Sequence, residues 1–110
     1  MPYSPVRKMI EAGLPVALAS DYNPGSSPSG NMKFVMSLGC INYKMLPEEV
    51  INATTINSAY AMGVQEEVGS IAIGKLANFY ITTPISGIEY LPYAYTADLV
   101  EMIFLKGEQF

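Results

Sequence analysis

The sequence predicts a mixed α/β chain: one strand of parallel-sheet type set among helices, then a β-rich tail. Three observations carry this. Leu14 to Ala19 is apolar throughout and bounded by Gly13 and Ser20, the pattern of a strand buried on both faces, as in parallel sheets. The stretches on either side carry helix start and stop signals. After Glu67 the residues become β-branched and aromatic runs separated by Gly-containing turns.

The elements follow in order. Ser4-Pro5 reads as an N-cap followed by a proline at the first helical position, with Gly13 as the stop. A short helix over Pro5 to Ala12 follows, with Val6, Met9 and Ile10 on one face. Pro15 belongs at the start of the next strand, where a missing N–H is tolerated. Ser20 to Asn31 holds two Pro, two Gly, four Ser, two Asn and one Asp, so it is a loop. It leaves the C-terminal end of that strand, the edge where α/β folds build sites. Met32 to Ile41 predicts a helix with a Met-rich face. Pro47-Glu48-Glu49 opens another, with acidic residues placed well for the macrodipole, although Leu46 is a poor N-cap. Thr54-Thr55 breaks the helix, and Ile56 to Met62 runs on to Gly63. Val68 to Ile71 and Ile73 to Lys75 carry strand and turn signals. Phe79 to Thr83 and Leu99 to Leu105 read as strands, and Lys106-Gly107 as a turn into a last one. The boundary between the helical and β-rich units falls near residue 66.

Composition narrows the function classes. The chain has 110 residues, of which half are hydrophobic and 15% charged, which excludes disorder. Six Lys and Arg against ten Asp and Glu give a net charge of -4, without the clustered cations that nucleic-acid phosphates need. No apolar run approaches the ~20 residues of a membrane span, and the first residues lack the apolar core of a secretory signal. A single cysteine, Cys40, permits no intrachain disulfide and fits a reducing, cytoplasmic compartment. There is no histidine. That excludes a His-based triad, a His general base and any His metal ligand supplied by this chain. Length predicts one domain, yet the apolar fraction exceeds what so small a core needs, so packing against something else is expected.

Asp21 is the sharpest candidate for chemistry. It ends the apolar strand and begins the polar loop, where a carboxylate can bind a metal or take a proton from a bound water. An Asx turn capping the loop is the simpler local alternative. Asn23, Gly25, Ser26, Ser27 and Ser29 form a polar cluster that either cradles an anion or is ordinary solvated loop. The Gly-Lys-Ser/Thr ending of a P-loop is absent. Met32, Met36 and Met45 read as core or interface, and Cys40 as a small buried hydrophobe. Tyr90, Tyr93 and Tyr95 line a pocket or, by default, pack against a strand layer.

These residues also carry a resemblance. Ala17 to Asn31, ALASDYNPGSSPSGN, resembles the late strand and loop of the imidazolonepropionase family, metal-dependent members of the amidohydrolase superfamily. The fit continues in register. Pro5 to Pro15 resembles the helix leading into the last barrel strand, and Leu46-Pro47-Glu48-Glu49 a Thr-Pro-Glu-Glu helix start. Ala53 to Gly63 is similar to the family's Ala-Ala-Thr-x-Asn-x-Ala helix. Val68 to Asn78 resembles the Gly-Ser-Ile-x-x-Gly-Lys turn found across amidohydrolases, and Val100 to Gly107 the family's last strand. The Ser-Asp-x-Asn-Pro-Gly run is specific to the family, whereas the Gly-Lys turn is a superfamily feature.

The resemblance implies a fold and an activity. The fold is the C-terminal fragment of a TIM-like barrel, its last strand plus helices over residues 1–65. Residues 66–110 are then strands of a small composite β-sandwich. The activity is hydrolysis of 4-imidazolone-5-propanoate to N-formimidoyl-L-glutamate in histidine breakdown. Asp21 matches the aspartate at the end of the eighth barrel strand, which contacts a zinc or iron ion and handles the proton of the attacking water. Asn23 and Gly25 match positions holding the acyl part of the ligand, and Ser26 a position near its propionate. The departures matter as much. The family's histidine ligands lie on earlier strands and are absent here, and one carboxylate cannot hold a zinc that needs three protein ligands. Asn78 stands where Asp is usual and Leu46 where a capping Thr is usual. The expected partners are therefore the His-bearing N-terminal part of the barrel and further copies in a homo-oligomer. No metal is expected on this chain alone, and the isolated chain is expected to be inactive. The alternative is a non-catalytic oligomeric or small-anion-binding module derived from such an enzyme.

Overall fold

A computed structural model of the chain describes residues 3–21, 30–93 and 97–110. Helix α1 (Val6–Glu11) starts one residue later than the Ser4-Pro5 signal predicts. Pro5 is the N-cap, and Ser4 contributes its carbonyl rather than its side chain, accepting from Val6 N at 2.8 Å. Helix α2 (Met32–Ile41) matches its expected span, with the Asn31 side chain accepting from Lys33 N at 2.9 Å. Helix α3 (Pro47–Thr54) begins at the expected proline. Leu46 has no side-chain acceptor to offer, but Glu49 reaches back and accepts from Leu46 N at 2.8 Å, one half of a capping box. The predicted break is real: Thr55 takes φ -118 and ψ -91, and α4 (Ile56–Met62) follows. Gly63, at φ 75, closes α4 in the left-handed conformation that glycine adopts freely.

The core lies between these helices. Val6, Val16, Met36, Met45, Val50 and Ala53 are buried together, and Met9, Ile10, Leu18 and Cys40 pack around them. Cys40 thus sits at the core margin as the small hydrophobe expected, with its thiol pushed up by burial and then by the charge of Glu48. Gly39 sets how closely α2 approaches. A Cβ there would stand 3.0 Å from both Leu18 Cδ1 and Val50 Cγ2.

Two expectations for strands are corrected. Among the described residues, Leu14 to Ala19 joins no ladder and is not buried on both faces. Val16, Leu18 and Ser20 turn inward to the helices, while Pro15, Ala17 and Ala19 are exposed. A parallel strand is completed by neighbours on both edges, and here helices cover one face only. Val68 to Lys75 forms turns and bends instead of strand. Lys75 N donates to Ala72 O and Leu76 N to Glu67 O, closing the segment on itself. Gly69, at φ 101, lies so close to α4 that a Cβ would fall 2.7 Å from Ala59 Cβ.

The sheet is an antiparallel meander of β1 (Phe79–Thr82), β2 (Val100–Leu105) and β3 (Glu108–Gln109), in that order. Phe79 faces Phe104 across β1 and β2, their rings stacked with centroids 4.9 Å apart. The predicted turn holds. Lys106 and Gly107 take φ 52 and 81, the positive φ values of a two-residue hairpin. A short helix, α5 (Tyr90–Tyr93), has no counterpart in the sequence reading. It packs on α2, with Leu91 against the core and Pro92 buried. Tyr90 and Tyr93 therefore stand on a helix rather than against a strand layer, and Tyr95 lies outside the described residues. No helix among the described residues is long and apolar enough to cross a membrane.

Candidate functional site

Asp21 is the one expected site residue that the structure describes. It follows the 14–20 segment directly, is exposed, and takes φ 47. A non-glycine residue enters the left-handed region readily only when it is Asn or Asp, whose short polar side chains bond locally. Asp21 thus stands exposed at the C-terminal end of the segment. Asn23, Gly25 and Ser26, like Ser27 and Ser29, lie outside the described residues.

What holds this segment in place is the junction between α3 and α4. Leu18 N donates to Ala53 O at 3.1 Å. Asn57 Nδ2 donates to Val16 O at 2.9 Å. The single hydroxyl proton of Ser58 is shared between Leu18 O at 3.1 Å and Ala53 O at 2.7 Å. Sequence reasoning placed Asn57 and Ser58 only in a helix pattern. The signal available was the Thr54-Thr55 break immediately before them.

A second set of contacts braces α1, which leads into the segment. Arg7 Nη1 and Nη2 donate to Glu49 Oε1 and Oε2 at 2.8 and 2.7 Å, a bidentate pair. That hydrogen bond, and the one from Leu46 N, hold the Glu49 carboxyl below its ordinary range. On the other side of the loop, Lys33 Nζ donates to Ala97 O at 2.7 Å and ties the start of α2 to the chain before β2.

Among the described residues, open cavities lie beside α4. One, of about 530 Å³, lies between α4 and β1 and includes Ser58, Met62, Val68 and Phe79. Another, of about 480 Å³, is lined by Pro15, Ala17, Asn57, Tyr60 and Ala61, on the uncovered side of the segment. Its walls are nearly all apolar, so it is shaped to receive packing rather than to perform chemistry.

The donor set does not fit a metal by itself. Among the described residues no group of three His, Cys, Asp or Glu side chains comes together. The chain has no histidine at all. Asp21 offers one oxygen-ligand side chain, and a catalytic zinc takes about three protein ligands.

The profile described as "Amidohydrolase family" matches residues 3–108. An imidazolonepropionase of Flavobacterium johnsoniae is 57% identical over 98% of this chain and 26% of its own length. One from Streptococcus pyogenes is 46% identical over 96% of this chain and 25% of its own. A crystal structure of an amidohydrolase from Thermotoga maritima superposes with a TM-score of 0.71 at 21% identity. It covers 94% of this chain and 24% of that one, and shares the fold. The chain thus spans about a quarter of the length of the curated relatives it matches.

Proposed function

This chain belongs to the amidohydrolase family, and we propose that it is the C-terminal part of an imidazolonepropionase. In this reading water adds across a ring C–N bond of 4-imidazolone-5-propanoate. The ring opens to N-formimidoyl-L-glutamate, a step of histidine breakdown in the cytoplasm. Asp21 supplies one carboxylate to a zinc or iron centre whose histidines lie outside this chain, and it accepts a proton from the attacking water. The metal, when bound, polarises the ring carbonyl and lowers the pKa of water. Asn23 and Gly25 hold the acyl part of the ligand, and Ser26 its propionate. Residues 1–65 then complete a barrel and residues 66–110 a composite β-sandwich. Both take their remaining strands from the rest of the protein, which further copies join in a homo-oligomer.

The observation that carries this reading is Asp21 itself. It is an exposed, left-handed aspartate at the end of the 14–20 segment, where the Ser-Asp-x-Asn-Pro-Gly run begins. The uncovered apolar residues beside it support completion by other strands.

The test is a chimaera. This chain replaces the segment it matches in the Flavobacterium johnsoniae enzyme, and ring opening is followed by loss of the substrate's ultraviolet absorbance. The chimaera should turn over and the isolated chain should not. Asp21→Asn should slow the chimaera by about 100-fold or more, the usual loss for a general base. Full turnover by Asp21→Asn, or by the isolated chain, would overturn the assignment.

A further inference from the structure

We propose that Asn57 and Ser58 are positioning residues, which set the register of the 14–20 segment and so fix where Asp21 stands. This rests on the reading of Asp21 given above. The residues act on the backbone of the segment and touch no reacting atom.

A strand is ordinarily held in register by the ladders of its neighbours. Among the described residues this segment has no ladder. The interruption between α3 and α4 adds a hold from the covered face, beside the ladders that strands of the rest of the protein would supply. In an unbroken helix the carbonyl of Ala53 would accept the N–H of residue 57. The turn at Thr55 releases it, and Leu18 N takes it at 3.1 Å. The same turn sets the first residues of α4 against the segment, so that Asn57 reaches Val16 O and Ser58 reaches Leu18 O. The two carbonyls gripped are two residues apart. A slip by a single residue would exchange the covered and uncovered series and displace Asp21 along the chain by about 3.3 Å. From Leu18 to Asp21 is three residues, about 10 Å of extended chain, so the grip lies close to the carboxylate. A misplacement of about 1 Å at a reacting group costs on the order of 100-fold in rate.

The contacts suit this role better than a purely stabilising one. Asn57 donates to a carbonyl about 40 residues earlier, Ser58 divides its proton between Leu18 O and the nearby Ala53 O, and neither fills the core around Val50 and Ala53.

Two readouts test the proposal. The first is amide exchange in this 110-residue chain. Ser58→Ala and the nearly isosteric Asn57→Asp should each speed exchange of the Leu18 amide, which is bonded to Ala53 O, by about tenfold or more, with thermal melting nearly unchanged. Ser58→Thr, which keeps the hydroxyl, should restore protection. The second is turnover of the chimaera. There Ser58→Ala and Asn57→Asp should each cut turnover by about tenfold to 100-fold, and Ser58→Thr should recover most of it. Unchanged exchange overturns the proposal, as does faster exchange with full turnover. Collapse of melting in both disruptive variants also overturns it, because the residues would then support the fold at large. Harmless Asp21→Asn beside a clear exchange effect would instead remove the reading of Asp21 and leave the grip standing as structure alone.

Discussion

Gly39 and Val50 form a pair whose coupling can be worked out in advance. The perturbation is a double-mutant cycle of Gly39→Ala and Val50→Ala. Val50 is fully buried, with 0% of its surface exposed. Removing its two methyls forfeits about 1.6 kcal/mol of transfer free energy. The void left behind adds roughly 1 kcal/mol, for a loss of about 2–3 kcal/mol in total. Gly39→Ala pulls in two directions. Alanine in a helix is favoured over glycine by about 1 kcal/mol. Against that, the new Cβ meets Leu18 Cδ1 and Val50 Cγ2 at 3.0 Å and Met45 Sδ at 3.5 Å. Carbon contacts are comfortable at about 3.5–4.0 Å. The Leu18 methyl ends a half-buried side chain and can swing away. The Val50 methyl cannot, because a β-branched residue in a helix is confined to essentially one rotamer. Overpacking of this kind costs about 1–3 kcal/mol, so Gly39→Ala should lose about 1 kcal/mol net.

With Val50 already cut back, the added methyl has somewhere to go. It removes its own clash and fills part of the void. The double variant should therefore be more stable than the sum of the single losses by about 1–2 kcal/mol. Urea unfolding of the four proteins at one temperature, read as midpoint and slope, measures all the corners. Additivity within about 0.5 kcal/mol, or a Gly39→Ala protein more stable than its parent, would refute the packing reasoning.

Two further outcomes are expected. The depressed pKa of Glu49 makes its contribution pH-dependent with a definite sign. Its folded value lies below the ordinary 4.5. The stability it adds is therefore complete above about pH 5 and is lost as pH falls through the folded value. The stability difference between parent and Glu49→Gln, measured by urea unfolding from neutral to acid pH, should be constant above that point and shrink below it. A difference that does not narrow on acidification would count against the bidentate pair. Gly69→Ala should cost at least about 2 kcal/mol. Its Cβ would sit 2.7 Å from Ala59 Cβ and 3.2 Å from Ile56 Cα at φ +101, and backbone cannot yield as a flexible side chain does. A melting curve that matches the parent's would show that this close approach is absent.

What the sequence disclosed and what it withheld divide along the reach of the interactions. Pro47, the Thr54-Thr55 break, Gly63 and the Lys106-Gly107 hairpin act within a few residues of themselves, and each appears where the sequence puts it. The segment 14–19 was legible as apolar and extended in kind. Whether it pairs, and on which faces it is covered, depends on elements distant in the chain, and only the helices are there to cover it. Val68 to Ile71 carries both strand and turn signals, and the turn prevails because Gly69 lies close against α4 and residues beyond it close the loop. Helix α5 exists because Leu91 and Pro92 find α2, a contact no local pattern announces.

The candidate site divides in the same way. Asp21 was legible because its signal is local, an acidic residue where an apolar run meets a polar loop. Asn57 and Ser58 were not, because an amide and a hydroxyl early in a helix are unremarkable until their partners, separated by about 40 residues, are known. The residue proposed for chemistry and the residues proposed to hold it thus lie on different elements, linked through the α3–α4 break. A change confined to that break should reach Asp21 without altering a residue near it in sequence. This is why the exchange of the Leu18 amide, and not the stability of α4, is the measurement that separates holding the carboxylate from holding the fold.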